Sequence, residues 1–558
     1  MKRKAIFAQV LLVASLLSAS AGPSQTLSTY QINHLLNRIA FGPRPGDIER
    51  VQQMGVEKYI DRQLHPERID DLSVEAKLAS LDSLKMSIPD ILNGYPAAGE
   101  IARQLGLRNS QDAGPQNNQT SRQQLQNYYR ENGLKSPQRL LQDLQSQKII
   151  RAVSSERQLQ EVMTDFWFNH FNVFWGKGAD RWLTTDYEMN AIRPHVLGKF
   201  KDLVMATAQS PAMLFYLDNA QSSAPDAQNP ALARVTRRQQ TRQRRPLFGG
   251  TGAIGRGQQG LADRLKKRQP GINENYAREL MELHTMGVDG GYTQKDVQEV
   301  ARAFTGWTID QPRRSGRFVF RDWMHDKGEK LVLGQKVAAG GIKEGEEVID
   351  ILVHQPSTAR FISTKLVRRF VSDEPPQALV DRVASVYAKT DGDIPEMLRT
   401  IFTSPEFESP DAYRQKTKSP LELVASALRA LDAETDGSPR LAQNIARMGQ
   451  PLYQYQPPTG FPDRASQWIS SGSLIERLNF GVALAANNIP GTTVELSRFA
   501  PGTTSAEAAV DRAVEILLAG NVSSQTRSIL EDQVRSSDEP ALTKAFALVL
   551  GSPEFQKR

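Results

Sequence analysis

No cysteine occurs anywhere in the 558 residues of this chain. Disulfides cannot staple it, so whatever it folds into is held by burial alone. The length supplies enough chain for one large core or for two or three ordinary ones. The same feature excludes thiolate zinc sites, iron–sulfur clusters and a cysteine nucleophile. A metal, if the chain holds one, must be bound by His, Asp, Glu or carbonyl oxygen.

The first 21 residues read as a signal peptide. Lys2, Arg3 and Lys4 form a positive start, residues 5–17 are apolar, and Ala19-Ser20-Ala21 supplies the small residues of a cleavage site. Sec export and cleavage near Ala21 are expected, placing the mature chain in the periplasm or outside the cell. The apolar run is too short for a permanent anchor, and no later segment reaches spanning length, so no membrane span is expected. The net charge is +7. Residues 2–4 contribute +3, and residues 234–268, with eleven Lys or Arg against Asp263, contribute +10; removing both from +7 leaves −6. The body is mildly acidic and the basic character belongs to one segment, so nucleic-acid binding is not expected.

Helical spacing dominates the rest of the chain, and a mainly α fold is expected: a large multi-helix domain with a small β-hairpin insert. Residues 22–218 form an N-terminal helical part, in which 97–135, rich in Gln, Asn and Ser, read as an extended or mobile loop. Residues 140–174 read as one long helix ending in aromatics. Residues 219–269 offer little to bury and read as a disordered Arg/Gly-rich insertion, whose Arg clusters suit either a solvated loop, the favoured reading, or contact with an anionic polymer or membrane. Residues 270–435 form a helical core containing a hairpin at 316–337, where Phe318 and Phe320 stand two residues apart between Arg317 and Arg321. Residues 436–558 form a C-terminal helical part. Thr403-Ser404-Pro405-Glu406-Phe407 is echoed by Gly551-Ser552-Pro553-Glu554-Phe555, each after an apolar helical stretch, which predicts two equivalent helix-start corners.

The segment from Asn273 reads NENYARELMELHTMGVDGGYTQKDVQEVARAFTGWTI. Glu274 and Arg278 pair at i,i+4, and Tyr276, Leu280 and Leu283 form an apolar stripe. Asn275, Glu279 and Glu282 share another face. Gly287 ends the helix, and Thr293 with Asp296 forms a capping box for the next. This segment resembles the signature of the bacterial family catalogued as "domain of unknown function 1800". Further segments agree: HLLNRIAFGPRPGDIERV from His34, FWFNHFNVF around His170, HDKGEKLVLG from His325 and HQPSTARFISTKLVRRFVSDEPP from His354. KSPLELVASALRAL from Lys418 and PPTGFP from Pro457 complete the match. The chain departs from the pattern in its Arg/Gly-rich insertion and in Gly460-Phe461, where family members usually carry Gly-Trp. The resemblance implies an exported, large, helical protein with no settled activity. It also implies a co-encoded, exported partner resembling a sulfatase.

Two function classes remain open on the residues. The first is an acid–base or metal-dependent enzyme. Glu279, Glu282 and Asn275 would be its catalytic face, and His170, His325 and Asp326 would ligate a divalent metal such as zinc, iron or manganese. His284, about 200° around the helix from Glu282, cannot share an ion with it from one helix. The second is a non-catalytic helical scaffold for a partner protein or an extracellular polymer. In that case the same residues serve packing: Glu279 and Glu282 pair with Arg302, Arg368 or Arg369, His170 bonds a carbonyl in an aromatic core, and His325 with Asp326 caps a turn. No phosphate loop, serine-hydrolase elbow or complete calcium loop is present.

Overall fold

Capping side chains start the principal helices where the sequence provides them. Ser28 and Gln31 close a capping box on α1 (Thr29–Ile39). The helices that carry or frame the candidate functional residues are α2 (Gln138–Ser154), α3 (Gln158–His170), α4 (Glu274–Glu279), α5 (Gln294–Ala303), α6 (Ile342–Val353), α7 (Pro356–Phe370) and α8 (Pro420–Ala430). Thr293 with Asp296 boxes α5, as the sequence predicts, and Ser419 with Glu422 boxes α8. The computed structural model describes residues 28–107, 115–227, 271–312, 314–464, 467–503 and 505–558. The leader at 1–21 and the basic stretch 234–268 lie outside them. Helix makes up 62% of the structure, and among the described residues strands occur only in three two-stranded sheets. The mainly α fold is as expected. No helix among the described residues is long and apolar enough to cross a membrane.

Two helices form the centre. Every residue of α8 is buried, and α2 is buried along most of its length. One contiguous hydrophobic cluster joins α1, α3, α5, α6 and α7 to both. A helix buried on all faces must satisfy its polar groups within the protein. Arg429 of α8 does so, donating to Gly42 O at 2.7 Å, to Val153 O at 2.8 Å and to Asp47 Oδ2 at 3.1 Å.

Several local expectations change. Residues 97–135 are not an extended loop: they carry helices Ala98–Gln104 and Pro115–Glu131. Gln, Arg and Glu are good helix formers without an apolar face. The second helix is also tied down at its C-terminal end, where Tyr129 donates to Pro96 O at 2.6 Å and Lys135 N to Gly94 O at 2.9 Å. The single helix expected over 140–174 is two, α2 and α3, parted at buried Ser155, whose hydroxyl donates to Asp71. The packed chain also runs past 218: Asn219 is buried and donates to Phe304 O and Trp307 O.

The expected hairpin at 316–337 is two hairpins. β1 (Trp307–Asp310) pairs with β2 (Arg317–Phe320), and β3 (Lys330–Val332) pairs with β4 (Gln335–Val337). The Phe318 and Phe320 strand therefore pairs backwards. Gly306 makes this possible: at φ +83 it turns the chain out of α5, and a Cβ there would stand 2.8 Å from Arg321 O. The two repeated corners share their serine cap, but only the first opens a helix, Pro405–Glu408, whereas 553–556 is a turn. Ser404 Oγ accepts from Phe407 N at 3.2 Å, Ser552 Oγ accepts from Phe555 N at 3.3 Å, and both phenylalanines are buried.

Candidate functional site

The predicted site residues fall into three separate settings. His325 and Asp326 belong to a buried charge cluster beside the hairpins. His325 Nε2 stands 3.0 Å from Glu344 Oε1, and Lys330, fully buried, reaches the other oxygen of Glu344. Asp326 receives a two-pronged bond from Arg302, at 2.9 and 3.0 Å. Burial alone would raise both carboxyls. For Glu344 the Lys330 and His325 contacts outweigh it, and for Asp326 the Arg302 contact does, so both are held below their ordinary range. These are ion pairs that join β3 to α5 and α6.

His170 lies in the aromatic core. Its Nε2 donates to His284 O at 3.0 Å, and its ring meets Trp167 and Phe171 edge-on. His284 reaches it because the chain after α4 widens into a six-residue π-helical turn at Leu280–Thr285, where Thr285 Oγ1 donates to Leu280 O. Burial, with Lys365 nearby, depresses both imidazoles, His284 to about 3, so both are neutral.

Glu279 and Glu282 remain together on a half-buried face, and Asn275 beside them is exposed. Tyr292 donates to Glu282 Oε2 at 3.3 Å. The arginines expected to neutralise this face are engaged elsewhere, Arg302 with Asp326 and Glu299, Arg369 with Glu422. Burial raises the Glu279 carboxyl, the neighbouring Glu282 raises it further, and Arg278 only partly offsets them. Among the described residues no three His, Asp or Glu side chains gather into a group that could hold a metal ion.

A different place gathers polar chemistry. Along α3, Trp167 and His170 point into the core, whereas Asp165, Asn169 and then Asn172 line a cleft, the 165/169/172 spacing being one face of a helix. Asn169 clamps the PPTGFP loop in both directions: its Oδ1 accepts from Phe461 N at 2.6 Å and its Nδ2 donates to Phe461 O at 2.9 Å. Asn172 Nδ2 donates to Tyr455 O and Pro457 O. The clamp is close enough that a Cβ on Gly460, at φ +71, would lie 2.2 Å from Asn169 O.

The clamped loop carries the aromatic wall. Phe461 packs between Tyr455 and Trp468, with ring centroids 4.4 and 5.8 Å away, and Trp468 Nε1 donates to Pro462 O. Phe461 thus faces the cleft, together with a tryptophan seven residues later. The charged residues of the lining are all paired, with one another or with residues just behind them. Lys148 Nζ lies 3.2 Å from Asp165 and 3.7 Å from Glu188, above the Tyr453 ring. Arg369 and Arg558 share Glu422 at 2.7 and 3.1 Å, Lys416 pairs with Asp373, and Lys365 pairs with Asp463 at 3.0 Å. Burial would push Lys148 down, but Glu188 and Asp165 outweigh it and hold it charged.

The cavity measures about 90 Å3. Sequence reading missed it because it fixed on the histidine of FWFNHFNVF, whereas the asparagines on either side of that histidine do the lining. Four of the segments that carry the resemblance meet here: FWFNHFNVF, the LVRRF stretch of α7, KSPLE at the start of α8, and PPTGFP. Their convergence was the signal available, and spacing alone could not reveal it.

Fold and cleft together define a mainly helical protein built around a polar, aromatic-walled cavity. The chain belongs to the family described as "Protein of unknown function (DUF1800)", whose model matches residues 34–557. No curated protein and no solved structure matches it.

Proposed function

We propose that this chain is an exported, periplasmic or extracellular binding protein whose cleft receives a sugar ring of an extracellular polymer. The composition of the cleft wall carries this reading. Paired ions such as Arg369–Glu422 and Lys148–Asp165 present donors and acceptors side by side in fixed positions with little net charge, which suits hydroxyl groups better than an ion of either sign. Half-buried Phe461 and Trp468 offer ring faces for the C–H face of a sugar. Where roughly 10–15 Å3 of such space holds one water, a cavity of about 90 Å3 accepts one ring and leaves the chain of the polymer outside. Calorimetry with soluble fragments of bacterial surface polysaccharides tests the reading. Saturable binding with Kd of about 1 μM to 1 mM is expected, weakened by roughly tenfold or more, ~1.4 kcal/mol, in Trp468→Ala. No heat with any fragment, while pull-down recovers a single protein, would replace the polymer by a protein ligand. The exported sulfatase-like partner that the resemblance implies is the first protein to try in that arm. Export itself is tested by fractionation, the expected product being a shortened chain in the periplasm or medium and the refuting one a full-length chain in the cytoplasm.

One observation favours a second reading, acid–base catalysis at Glu279 with Glu282 and Asn275. A carboxyl pushed up by burial and by an adjacent carboxylate is suited to giving up a proton. Glu279→Gln should then abolish turnover of any polymer that the cleft binds and leave its binding intact. Unchanged turnover ends that reading.

A further inference from the structure

A second, smaller cavity lies where the segments around the two ends of the family match come together. It measures about 20 Å3 and is lined by Asn33 and His34 of α1, by Arg414 and Lys418 before α8, and by Glu554 and Arg558. Lys418 is the unusual member. Its side chain is buried, its Nζ sits 3.7 Å above the centre of the Phe555 ring, and among the described residues no carboxylate oxygen lies within 4.0 Å of it. The other buried lysines here do have such partners, Lys416 in Asp373 and Lys330 in Glu344. Three buried polar atoms on the same lining residues also lack a hydrogen-bond partner among the described residues: His34 Nδ1, Glu554 Oε2 and Arg558 Nε. The first two accept, because His34 spends its Nε2 proton on Phe407 O at 2.9 Å, and the third donates.

We propose that Lys418 is a carbamylation site, its Nζ reacting with CO2 to give an N-carboxylysine. A lysine buried beside other cations is a reactive amine. Burial first, then Arg414 and Arg477, depress it to about 7, with Glu422 opposing. The cavity is too small for a metabolite and large enough for a triatomic reactant. In the reaction the Nζ lone pair forms a bond to the carbon of CO2, one C–O π bond opens to a carboxylate oxygen, and the nitrogen releases one proton to water. Nothing is oxidised or reduced. The product converts an uncompensated amine among guanidinium groups into an anion among them. It offers an N–H to the unpaired acceptors of His34 or Glu554 and oxygens to Arg558 Nε and Arg414.

The test uses the full chain equilibrated with 13C-bicarbonate. A single carbamate carbon resonance should appear at neutral pH and vanish on acidification, and it should be missing in Lys418→Arg and Lys418→Met. Trapping with a trialkyloxonium salt and peptide mass spectrometry should place the ester on Lys418. No carbamate resonance in folded wild-type chain at saturating bicarbonate overturns the proposal, as does an ester found only on other amines. So does a signal that persists in Lys418→Arg. The wild-type experiment decides even if a variant fails to fold.

Discussion

Asn169 fixes the PPTGFP loop with both ends of one amide, and its backbone leaves Gly460 no room for a side chain. Gly460→Ala should therefore cost about 1–3 kcal/mol, from a strained left-handed backbone together with the displaced contact, read as a lowered denaturation midpoint. Asn169→Ala should cost a similar ~1–3 kcal/mol by orphaning Phe461 N and O, and it should also raise amide exchange over residues 455–461; unchanged exchange there would mean that the loop is held by other contacts. Glu279 gives the residue-scale prediction in pH. Its folded pKa lies above the ordinary carboxyl value, so the stability it contributes is complete below that value and is lost as pH rises through the folded pKa. Glu279→Gln should thus raise the melting temperature at pH 7 and leave it unchanged well below pH 4. The sequence showed Glu279 and Glu282 on one face correctly, because three and four residues are one helical turn. It could not show that Arg302 and Arg369 are taken by Asp326 and Glu422, because those partners are set by packing between elements.

Among elements, the His325–Glu344–Lys330 cluster ties β3 to the first turn of α6, where Glu344 also accepts from Gly340 N and Gly341 N. Glu344→Ala leaves the buried Lys330 ammonium only the more distant Asp326 carboxylate, at 3.7 Å and already shared with Arg302, and should cost about 3–5 kcal/mol. Replacing Lys330 by Met together with Glu344 by Gln should recover much of that loss. Equilibrium denaturation of the single and double variants measures both, and a double variant no better than the single one would show that packing, not charge, is what the cluster supplies. Strand character at Phe318 and Phe320 was legible from their spacing of two residues. Their partner was not, because pairing with Trp307–Asp310 depends on a reversal at Gly306 that the helical pattern of α5 conceals. The helix Pro115–Glu131 was illegible for the opposite reason: a polar helix has no apolar stripe for periodicity to register.

On the scale of the whole molecule, acid is the condition the fold resists least. His34 and His284, both depressed to about 3 by burial, and His170 are neutral in the folded chain. Unfolding releases them to their ordinary value, so stability is complete above about pH 6.5 and falls as pH drops towards 3, by about 1.4 kcal/mol per pH unit for each group. The carboxyls of Glu188 and Glu344, both held low, add losses in the same direction at lower pH. Melting temperature followed from pH 7 to pH 4 should decline steeply, and His34→Gln should flatten the decline. A flat profile would contradict the neutral assignment of these histidines.

The central position of α8 has a consequence for how the chain comes together during synthesis. Its surroundings are drawn from far-apart stretches of sequence: Gly42 and Asp47 near one end, Val153 and Gln450 between, and Gln556 and Arg558 near the other. With residues 556–558 not yet in place, α1 to α7 can form and yet leave α8 with one flank bare. Until then a helix that is buried on every side in the finished fold stays open on one, so docking of the last residues is what seals the centre.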